Sequence, residues 1–411
     1  MSQIYLHIPF CEQKCNYCRF ASTWKIQDLH IAKYVSFLCE EIKKQNIFNK
    51  KIKTIYFWWW TPWVLKLEQF EKILNTIKNK YILDEECEIS IETTPDKISK
   101  ENLIWWEKLW INRISMWIQT LNQKSLKEIK RWWKWDILEA LEIMKEYTES
   151  GQTHRSAPTK NNVGVNLCVH PIITNISLDF IIWLPYVKKW EILENIKYVL
   201  EKYALKEAPL GCNFIKHISV YMLEDYYSPD KIIETKYDNI TYPKDWEKQG
   251  IKEEEYLWEY SSIKKFLVKS WFNNYEISNY WKSWFECKHN IWYWEHKEII
   301  AFWLWAYWLI HKSPTRGDPT ELIRYANSEN FKNYYNWEKI FENKLTQEDI
   351  FLEKLMFGLR TSWIEENIYK KLDIKKINYF IENWYLEKKS NKIVLLDKWV
   401  LVMDYILKEI I

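Results

Sequence analysis

Glycine is almost missing from this sequence. Its 411 residues include 6 glycines against 28 tryptophans, whereas glycine averages about 7% of residues in proteins. Tight turns, helix ends and backbone that approaches a ligand closely favour glycine, and a bulky indole side chain cannot replace it there. The sequence therefore lacks the residue type that a large fold needs at its turns. Tryptophan is about as frequent here as glycine is in an average protein.

A strong net charge of either sign is also absent. Lys and Arg number 59 and Asp and Glu number 56, for a net charge of +3, so the chain has no basic field of the kind that nucleic-acid-binding domains carry. The longest apolar run, Ile299–Ile310, is too short to cross a bilayer, and no charged leader precedes an apolar segment. We therefore expect a cytoplasmic protein, peripheral at a membrane at most, that does not bind nucleic acid.

One group of cysteines stands out among eight that otherwise have no paired spacing. The segment Ile4–Phe20 reads IYLHIPFCEQKCNYCRF, an apolar run typical of a buried strand followed by Cys11, Cys15 and Cys18 in the pattern C-x3-C-x2-C. Three thiolates on a [4Fe-4S] cube leave one iron open for a substrate or cofactor. The alternatives are a disulfide with one spare thiol and a zinc site completed by His7.

The longer string Y-x-H-I-P-F-C-x3-C-x-Y-C-x-F, which begins at Tyr5, resembles radical S-adenosylmethionine (SAM) enzymes, and within them the coproporphyrinogen III oxidase-like branch. This resemblance implies a [4Fe-4S] cluster held by the three cysteines, with SAM chelated by the open iron and cleaved to a 5'-deoxyadenosyl radical. The cofactors supply that chemistry and the protein positions them.

Further motifs extend the resemblance along nearly the whole chain. The family has G-G-G-T-P where this sequence has Trp58 to Pro62, N-R-I-S-x-G-x-Q from Asn112, and N-[IL]-D-L-I-x-G-L-P from Asn175. Thr94 departs from the family's asparagine. In this interpretation Arg113 is structural, and the implied SAM contacts are Tyr5, Trp59, Trp60, Thr61, Glu92, Gln119, Arg131 and Asp179.

A second ligand is implied by H-N-x-x-Y-W, which this chain carries from His289 to Trp294. In the haem-chaperone branch of the family this motif has been linked to haem handling, so His289 is a candidate haem contact. The alternative is a packed histidine in an aromatic loop. For Glu92 and Arg131 the corresponding alternatives are a solvated strand-end carboxylate and a surface cation at a helix end.

The same alignment of motifs suggests where the tryptophans come from. Trp58–Trp60, Trp183, Trp303 and Trp305 fall where the family has glycine or small residues, and Trp110 falls where a helix should stop. Some bacterial lineages read the codon UGA as glycine. We predict that most tryptophans here are glycine in the living protein, with Trp294 a genuine exception.

Strand and helix patterns alternate six times, which predicts a parallel sheet, and the resemblance makes it a partial (β/α)6 radical SAM barrel with a small C-terminal winged-helix-like α+β cap. We expect a barrel domain at 1–235 with an inserted loop at 151–171, a connecting region on the haem or substrate side at 236–340, and the cap at 341–411. The predicted strands after the first are Ile52–Phe57, Glu88–Glu92, Asn112–Gln119, Asn175–Ile182 and His217–Leu223. The predicted helices are Asp28–Lys44, Leu67–Lys78, Lys100–Leu109, Gln123–Lys130, Asp136–Tyr147, Glu191–Tyr203, Glu253–Ser270, Gln347–Leu359 and Ile364–Leu372, with a strand pair near Tyr385–Leu396.

Two functions fit the resemblance. Oxygen-independent coproporphyrinogen III oxidases usually carry a fourth cysteine where Phe20 stands, and an extension before the motif. Their absence favours a haem chaperone that binds and transfers haem; the alternative is the oxidase itself, a coproporphyrinogen dehydrogenase-type oxidoreductase that makes protoporphyrinogen IX. Expected partners are haem or coproporphyrinogen III, a reductant such as flavodoxin or ferredoxin, and a respiratory haem acceptor.

Overall fold

The computed structural model describes most of the chain. The described residues are 1–11, 15, 17–18, 23–24, 27–45, 50–59, 65–131, 134–153, 173–203, 214–223, 253–304, 306–312, 321–328, 330–361, 363–396 and 402–411. The predicted sites Trp60 and Thr61, and residues 154–171 of the predicted inserted loop, lie outside them.

A twelve-stranded sheet forms the centre of the fold, in the order β14-β13-β12-β11-β1-β4-β5-β6-β7-β8-β10-β9. A short pair, β2 and β3, and a small sheet in the order β15-β17-β16 are separate from it. The strands are β1 Ser2–Ile8, β2 Phe10–Cys11, β3 Thr23–Trp24, β4 Lys51–Trp59, β5 Ile82–Thr93, β6 Arg113–Gln119, β7 Asn175–Ile182, β8 Ile215–Met222, β9 Asn273–Asn274, β10 Asn279–Trp281, β11 Ile299–Phe302, β12 Tyr307–Lys312, β13 Glu321–Asn327, β14 Lys339–Lys344, β15 Ile364–Glu365, β16 Leu386–Lys389 and β17 Lys392–Leu395.

The predicted parallel sheet is confirmed. Strands β1, β4, β5, β6, β7 and β8 are neighbours in chain order and all pair in parallel. A seventh parallel strand, β11, pairs with the other edge of β1 and was not predicted. The apolar run Ile299–Ile310 is thus two antiparallel strands, β11 and β12. Barrel closure stays a prediction.

Helices connect the parallel strands and continue into the C-terminal region. They are α1 Asp28–Lys44, α2 Leu67–Lys80, α3 Lys100–Lys108, α4 Gln123–Glu128, α5 Lys134–Thr153, α6 Glu191–Tyr203, α7 Glu253–Lys269, α8 Lys288–Trp294, α9 Phe331–Tyr335, α10 Gln347–Arg360, α11 Glu366–Tyr369, α12 Ile374–Glu382 and α13 Met403–Ile410, with a 3-10 turn at Pro95–Lys97. None of the helices in the described ranges is both long and apolar enough to cross a membrane.

Two predicted bounds are wrong in an informative way. Helix α5 runs on to Thr153, so the first residues assigned to the inserted loop are helical, because a lone glycine such as Gly151 weakens a helix by about 1 kcal/mol without ending it. The predicted helix Ile364–Leu372 begins instead as strand β15, since Ile364 pairs with Ile393 of β17. Tertiary pairing overrides the helical pattern there.

The two faces of the parallel sheet carry opposite chemistry. One face is apolar: Ile4, Leu6 and Ile8 of β1 are fully buried in the core that also contains Ile31, Val35 and Leu38 of α1. The residues between them in β1, and their neighbours in register on the next strands, form a buried polar face. Its members include Tyr5, His7, Tyr56, Glu88, Ser90, Glu92, Arg113, Ser115, Ser177, Asp179, His217 and Ser219. Parallel sheets are usually apolar on both faces, so this polar face indicates a ligand site.

One carboxylate stands out on the helix-covered side of the sheet. Glu41 of α1 is buried and accepts hydrogen bonds from the backbone N–H of Trp303 (3.1 Å), the Asn327 amide (2.6 Å) and the Tyr334 hydroxyl. Burial raises its pKa to about 7, and these donors oppose the shift. Glu41 therefore joins helix α1 to the turn that follows β11.

Left-handed backbone is concentrated at tryptophan. Thirteen described residues other than glycine have positive φ, and eight of them are tryptophan: Trp110, Trp183, Trp190, Trp271, Trp284, Trp303, Trp337 and Trp384. A bulky side chain in this region is a conformational outlier. After α7, for example, Trp271 has φ 66° and the N–H of Phe272 donates to the carbonyl of Leu267 at 3.0 Å, the helix ending that glycine normally makes. Glycine at these positions would produce this distribution without strain.

Helix α8 lies between the polar face and the C-terminal region. At its C-terminal end, His296 forms a 2.6 Å hydrogen bond with Glu353 of α10, which also pairs with both terminal nitrogens of Arg324. Phe357 of α10 packs against the rings of Tyr293 and Trp294. The C-terminal helices and the small sheet β15-β17-β16 are thus attached through α10. Their winged-helix likeness stays a prediction.

Candidate functional site

The three predicted metal ligands lie beyond the carboxyl end of β1. Cys11 ends β2, and Cys11, Cys15 and Cys18 are free thiols with at most 4% of their surface exposed. The disulfide alternative is therefore not what the structure contains. Among the described residues, no group of three or more His, Cys, Asp and Glu side chains is placed to hold one metal ion. The described residues therefore do not form the zinc site with His7. The Nδ1 atom of His7 lies 3.3 Å from the Tyr5 hydroxyl.

The donor set fits an iron-sulfur cluster better than a single ion. In a [4Fe-4S] cube each thiolate binds a different iron, so the sulfur atoms need not converge on one point. Burial raises the pKa of Cys15 to about 12, and the guanidinium of Arg131 opposes that shift. The Cys15 thiol is therefore protonated without metal, and cluster binding would release its proton while Arg131 favours the thiolate form.

Tyr17 connects the cysteines to two predicted SAM contacts, and it was not predicted as a site residue. Its hydroxyl accepts a hydrogen bond from the Gln119 side chain and also bonds to Arg131 and Cys15. Gln119 ends β6 with φ 68°, and its side-chain oxygen has no partner in the described part of the chain. The structure thus brings Gln119 and Arg131 together at the cysteines, and their contact with SAM stays a prediction.

Glu92 and Asp179 occupy the middle of the polar face. Glu92, near the end of β5, accepts a 2.7 Å hydrogen bond from the Tyr56 hydroxyl. Asp179 of β7 accepts from Ser115 at 2.8 Å and from Ser177 at 3.2 Å. Burial raises the pKa of Asp179, and the serine hydroxyls oppose that shift. Both carboxylates are buried acceptors with polar neighbours, which excludes the solvated alternative for Glu92.

Trp59 ends β4, where its backbone is in register with Ile8 of β1; its side chain is not among those described. The preceding Trp58 packs against the rings of Tyr5 and His7, with centroids 5.8 and 5.1 Å apart. The strand end that the resemblance assigns to SAM therefore lies beside β1, close to the start of the cysteine segment.

His289 lies under the opposite end of the polar face. Its Nδ1 is 2.8 Å from the Thr54 hydroxyl, its backbone N–H donates to Glu88 at 3.2 Å, and its ring stacks on Tyr56 with centroids 4.9 Å apart. Burial lowers its pKa to about 3, with Arg113 a second cause. The imidazole is therefore neutral and oriented, and its Nε2 makes no hydrogen bond within the described ranges.

Sequence reasoning missed Tyr17, Thr54 and Tyr56 as members of the site. The signal for Tyr56 and Thr54 was present, because both alternate in β4 with apolar Ile55 and Phe57 and so point to the face opposite the core. For Tyr17, the only signal in the sequence was its position between Cys15 and Cys18. Two of its partners, Gln119 and Arg131, lie more than a hundred residues away, and no local pattern identifies them.

Comparison with known proteins identifies similar sequences and a similar fold. Residues 5–156 match the Radical SAM superfamily. The chain is similar to the Heme chaperone HemW of Buchnera aphidicola subsp. Acyrthosiphon pisum, at 27% identity over 393 residues, 94% of this chain and 88% of that protein. It is also similar to the Heme chaperone HemW of Lactococcus lactis subsp. lactis, at 29% identity over 303 residues, 72% of this chain and 66% of that protein.

A solved structure shares the fold. Coproporphyrinogen III oxidase (HemN) from Escherichia coli, described as a radical SAM enzyme, superposes with a TM-score of 0.73 over 99% of this chain and 89% of its own length. The two sequences are 16% identical, so the likeness shows a common fold and does not establish a common activity.

Proposed function

Because the chain belongs to the radical SAM superfamily, with a [4Fe-4S] cluster and SAM as the cofactors that membership implies, we propose that it is a haem chaperone, which binds haem and passes it to an acceptor protein. The observation that carries the proposal is the match to proteins named Heme chaperone HemW over up to 94% of the chain. The residue Phe20 in place of a fourth cysteine supports the same choice.

The proposed cluster ligands are Cys11, Cys15 and Cys18, and a bound cluster would supply the electron for reductive chemistry on SAM. Arg131 and Tyr17 would stabilise the thiolate charge, and Gln119 would be held in place by Tyr17. The remaining proposed SAM contacts are Tyr5, Trp59, Trp60, Thr61, Glu92 and Asp179.

His289 is the proposed haem contact. Thr54 bonds Nδ1, which leaves Nε2 as the free ring nitrogen, and a neutral imidazole is the form that ligates iron. The neighbouring rings of Tyr5 and Tyr56 would pack against a planar ligand. Because His289 is buried, haem would have to enter the interior of the fold to contact it.

We also propose the partners and the division of the chain that the sequence suggested. A flavodoxin or ferredoxin would reduce the cluster, and a respiratory protein would accept the haem, which would bring the chain to the surface of a membrane. The barrel domain at 1–235 would hold the cofactors, the region at 236–340 would face haem through His289, and the cap at 341–411 would present a lid or partner surface.

The experiment that tests the proposal separates haem transfer from decarboxylation. The protein is reconstituted anaerobically with iron and sulfide, incubated with SAM, a reductant and coproporphyrinogen III, and the porphyrins are analysed; haem binding is titrated in parallel. We expect stable haem binding and unchanged coproporphyrinogen. Formation of protoporphyrinogen IX would instead identify an oxidase and show that Phe20 is a misleading guide.

A further inference from the structure

Two nitrogens of a buried arginine on the polar face have no hydrogen-bond partner in the described part of the chain. Arg113 is the first residue of β6 and only 2% exposed, yet Nε and Nη1 of its guanidinium have no hydrogen-bond partner among the described residues. Leaving a buried charge unpaired is costly, because its hydration is lost and nothing replaces it. An arginine with a purely structural role would be expected to bond to the groups around it.

The nearby carboxylates are engaged with other donors. Glu88 accepts the backbone N–H groups of Lys288 and His289 at 3.0 and 3.2 Å and the Ser90 hydroxyl at 3.3 Å. These contacts hold the start of helix α8 against β5. Glu88 lies within Coulombic range of Arg113, but its oxygens are directed elsewhere.

Asp179 is the second acidic neighbour, and its two oxygens accept from Ser115 and Ser177. Glu88 and Asp179 together favour the charge of Arg113 from a distance, but among the described residues neither of them bonds to Nε or Nη1.

The other groups near Arg113 are neutral hydrogen-bonding side chains. Tyr56 and Tyr275 are phenols whose pKa burial raises well above its usual value. The pKa values of His217 and His289 are lowered, first by burial and then by Arg113 itself. A guanidinium surrounded by hydroxyls and neutral imidazoles is suited to recognising a carboxylate.

Depth along the sheet separates this arginine from the cysteines. Arg113 precedes Gln119 by six residues of β6, which is about 20 Å at about 3.3 Å per residue, and Gln119 is the residue that bonds Tyr17 beside Cys15. The carboxylate of SAM belongs at the open iron in this family. Arg113 shares its end of the polar face with His289.

We propose that Arg113 is a binding site for a ligand carboxylate at the amino end of the polar face, and, resting on the proposed haem function, that this carboxylate is a propionate of haem. SAM is the other source of the same chemistry. His289 and Arg113 would then hold one haem at two points, the iron side and the propionate side.

The test compares two ligands on three forms of the full-length reconstituted protein. Haem (iron protoporphyrin IX) and its dimethyl ester, which has no free propionate, are titrated optically into wild type, Arg113→Gln and Arg113→Lys; SAM binding and iron content are measured on the same samples. We expect Arg113→Gln to weaken haem binding about tenfold or more, Arg113→Lys to recover part of it, and the ester to bind wild type and Arg113→Gln equally. Arg131→Gln, at the cysteine end, should weaken SAM binding instead.

Each other outcome overturns the proposal. Equal losses for haem and its ester would mean that Arg113 acts on something other than a propionate. Weakened SAM binding with intact haem binding would assign the carboxylate to SAM, and unchanged affinities would make Arg113 structural.

Retained iron and SAM binding in Arg113→Gln would exclude misfolding of this variant, and recovery of haem binding in Arg113→Lys serves the same purpose. Wild type that binds no haem would sink the haem-chaperone function itself, which is a different result from wild type that binds haem without using Arg113.

Discussion

The two faces of the parallel sheet are buried alike and built differently. The face under helix α1 is lined by residues such as Ile4, Leu6 and Ile8, which stabilise the fold through apolar burial. The other face consists of hydroxyls, carboxylates, imidazoles and a guanidinium, which contribute little to stability without partners. Burial alone therefore does not identify a core. The chemistry of the buried atoms decides which face holds the chain together and which face serves a ligand.

The largest effect should come from the cysteine end of the polar face. Cys15→Ala removes one of the three proposed cluster ligands, and we expect iron content and the visible absorption of the reconstituted protein to fall to background. Cys39→Ala, a buried thiol of α1 on the apolar face, is the matched control and should keep the cluster. An unchanged iron content in Cys15→Ala would count against the cluster assignment.

At the other end of the same face, Thr54 should matter only through His289. Thr54→Val keeps the shape of the side chain but removes the bond to Nδ1, and loss of such a supporting bond typically weakens metal binding by about 10–100-fold. Optical haem titration measures the change.

Thr54→Ser retains the hydroxyl and should bind haem nearly as wild type does. Equal haem affinities for the valine and serine variants would show that the hydroxyl does not orient His289.

Glu41 breaks the pattern of the apolar face, and its effect should depend on pH. Burial raises its folded-state pKa from 4.5 to about 7, so the folded chain binds an extra proton between those values. The associated stability is present below about pH 4.5 and is lost as pH rises through about 7, a change of about 3 kcal/mol.

In Glu41→Gln the part of this loss that belongs to Glu41 should disappear, so the free energy of unfolding in urea should fall less between pH 5 and pH 8 than in wild type. Glu276, whose pKa burial also raises to about 7, keeps its own part of the pH dependence. Glu40→Gln, on the exposed side of the same helix, should keep the wild-type pH dependence. A Glu41→Gln variant with the wild-type slope would place the titration elsewhere.

The smallest effect should appear at a helix end outside both faces. Trp271 is 77% exposed with φ 66°, so Trp271→Gly gives up few contacts and relieves about 1–2 kcal/mol of left-handed strain. Trp106, 1% exposed within α3, is the opposite case, and Trp106→Gly should cost at least 3 kcal/mol. Thermal or urea unfolding of both variants makes the comparison.

Reading the codons for Trp58–Trp60 tests the origin of these residues directly. UGA at these codons is the expected result, and UGG would refute the glycine prediction.

Sequence pattern was sufficient for much of the fold. Helices α1 and α6 and strand β7 were predicted to the residue, because each has a clear apolar period and a polar boundary. Strand β11 was missed as a parallel strand because its four residues, Ile299–Phe302, show no period, and only its partner Gln3–Leu6 reveals the direction.

The site was harder to predict than the fold. Family motifs singled out Gln119, Arg131 and the cysteines as cofactor contacts, but the hydroxyl that joins them belongs to Tyr17. The orientation of His289 depends on Thr54, 235 residues earlier. Hydrogen bonds between distant segments leave no trace in local sequence. Trp60 and Thr61 stay predictions.

Helix α8 has a consequence for how the molecule unfolds. Glu88 of the central sheet holds its first turn. Phe357 of α10 packs on Trp294, the last residue of α8, and Glu353 bonds to His296 just beyond the end of that helix. If either the sheet or α10 separates from this seven-residue helix, buried contacts are lost, among them the packing of Tyr293 and Trp294 against Phe357. Helix α8 therefore couples the sheet to the C-terminal helices. We expect a denaturant to unfold both regions together, in one transition rather than domain by domain.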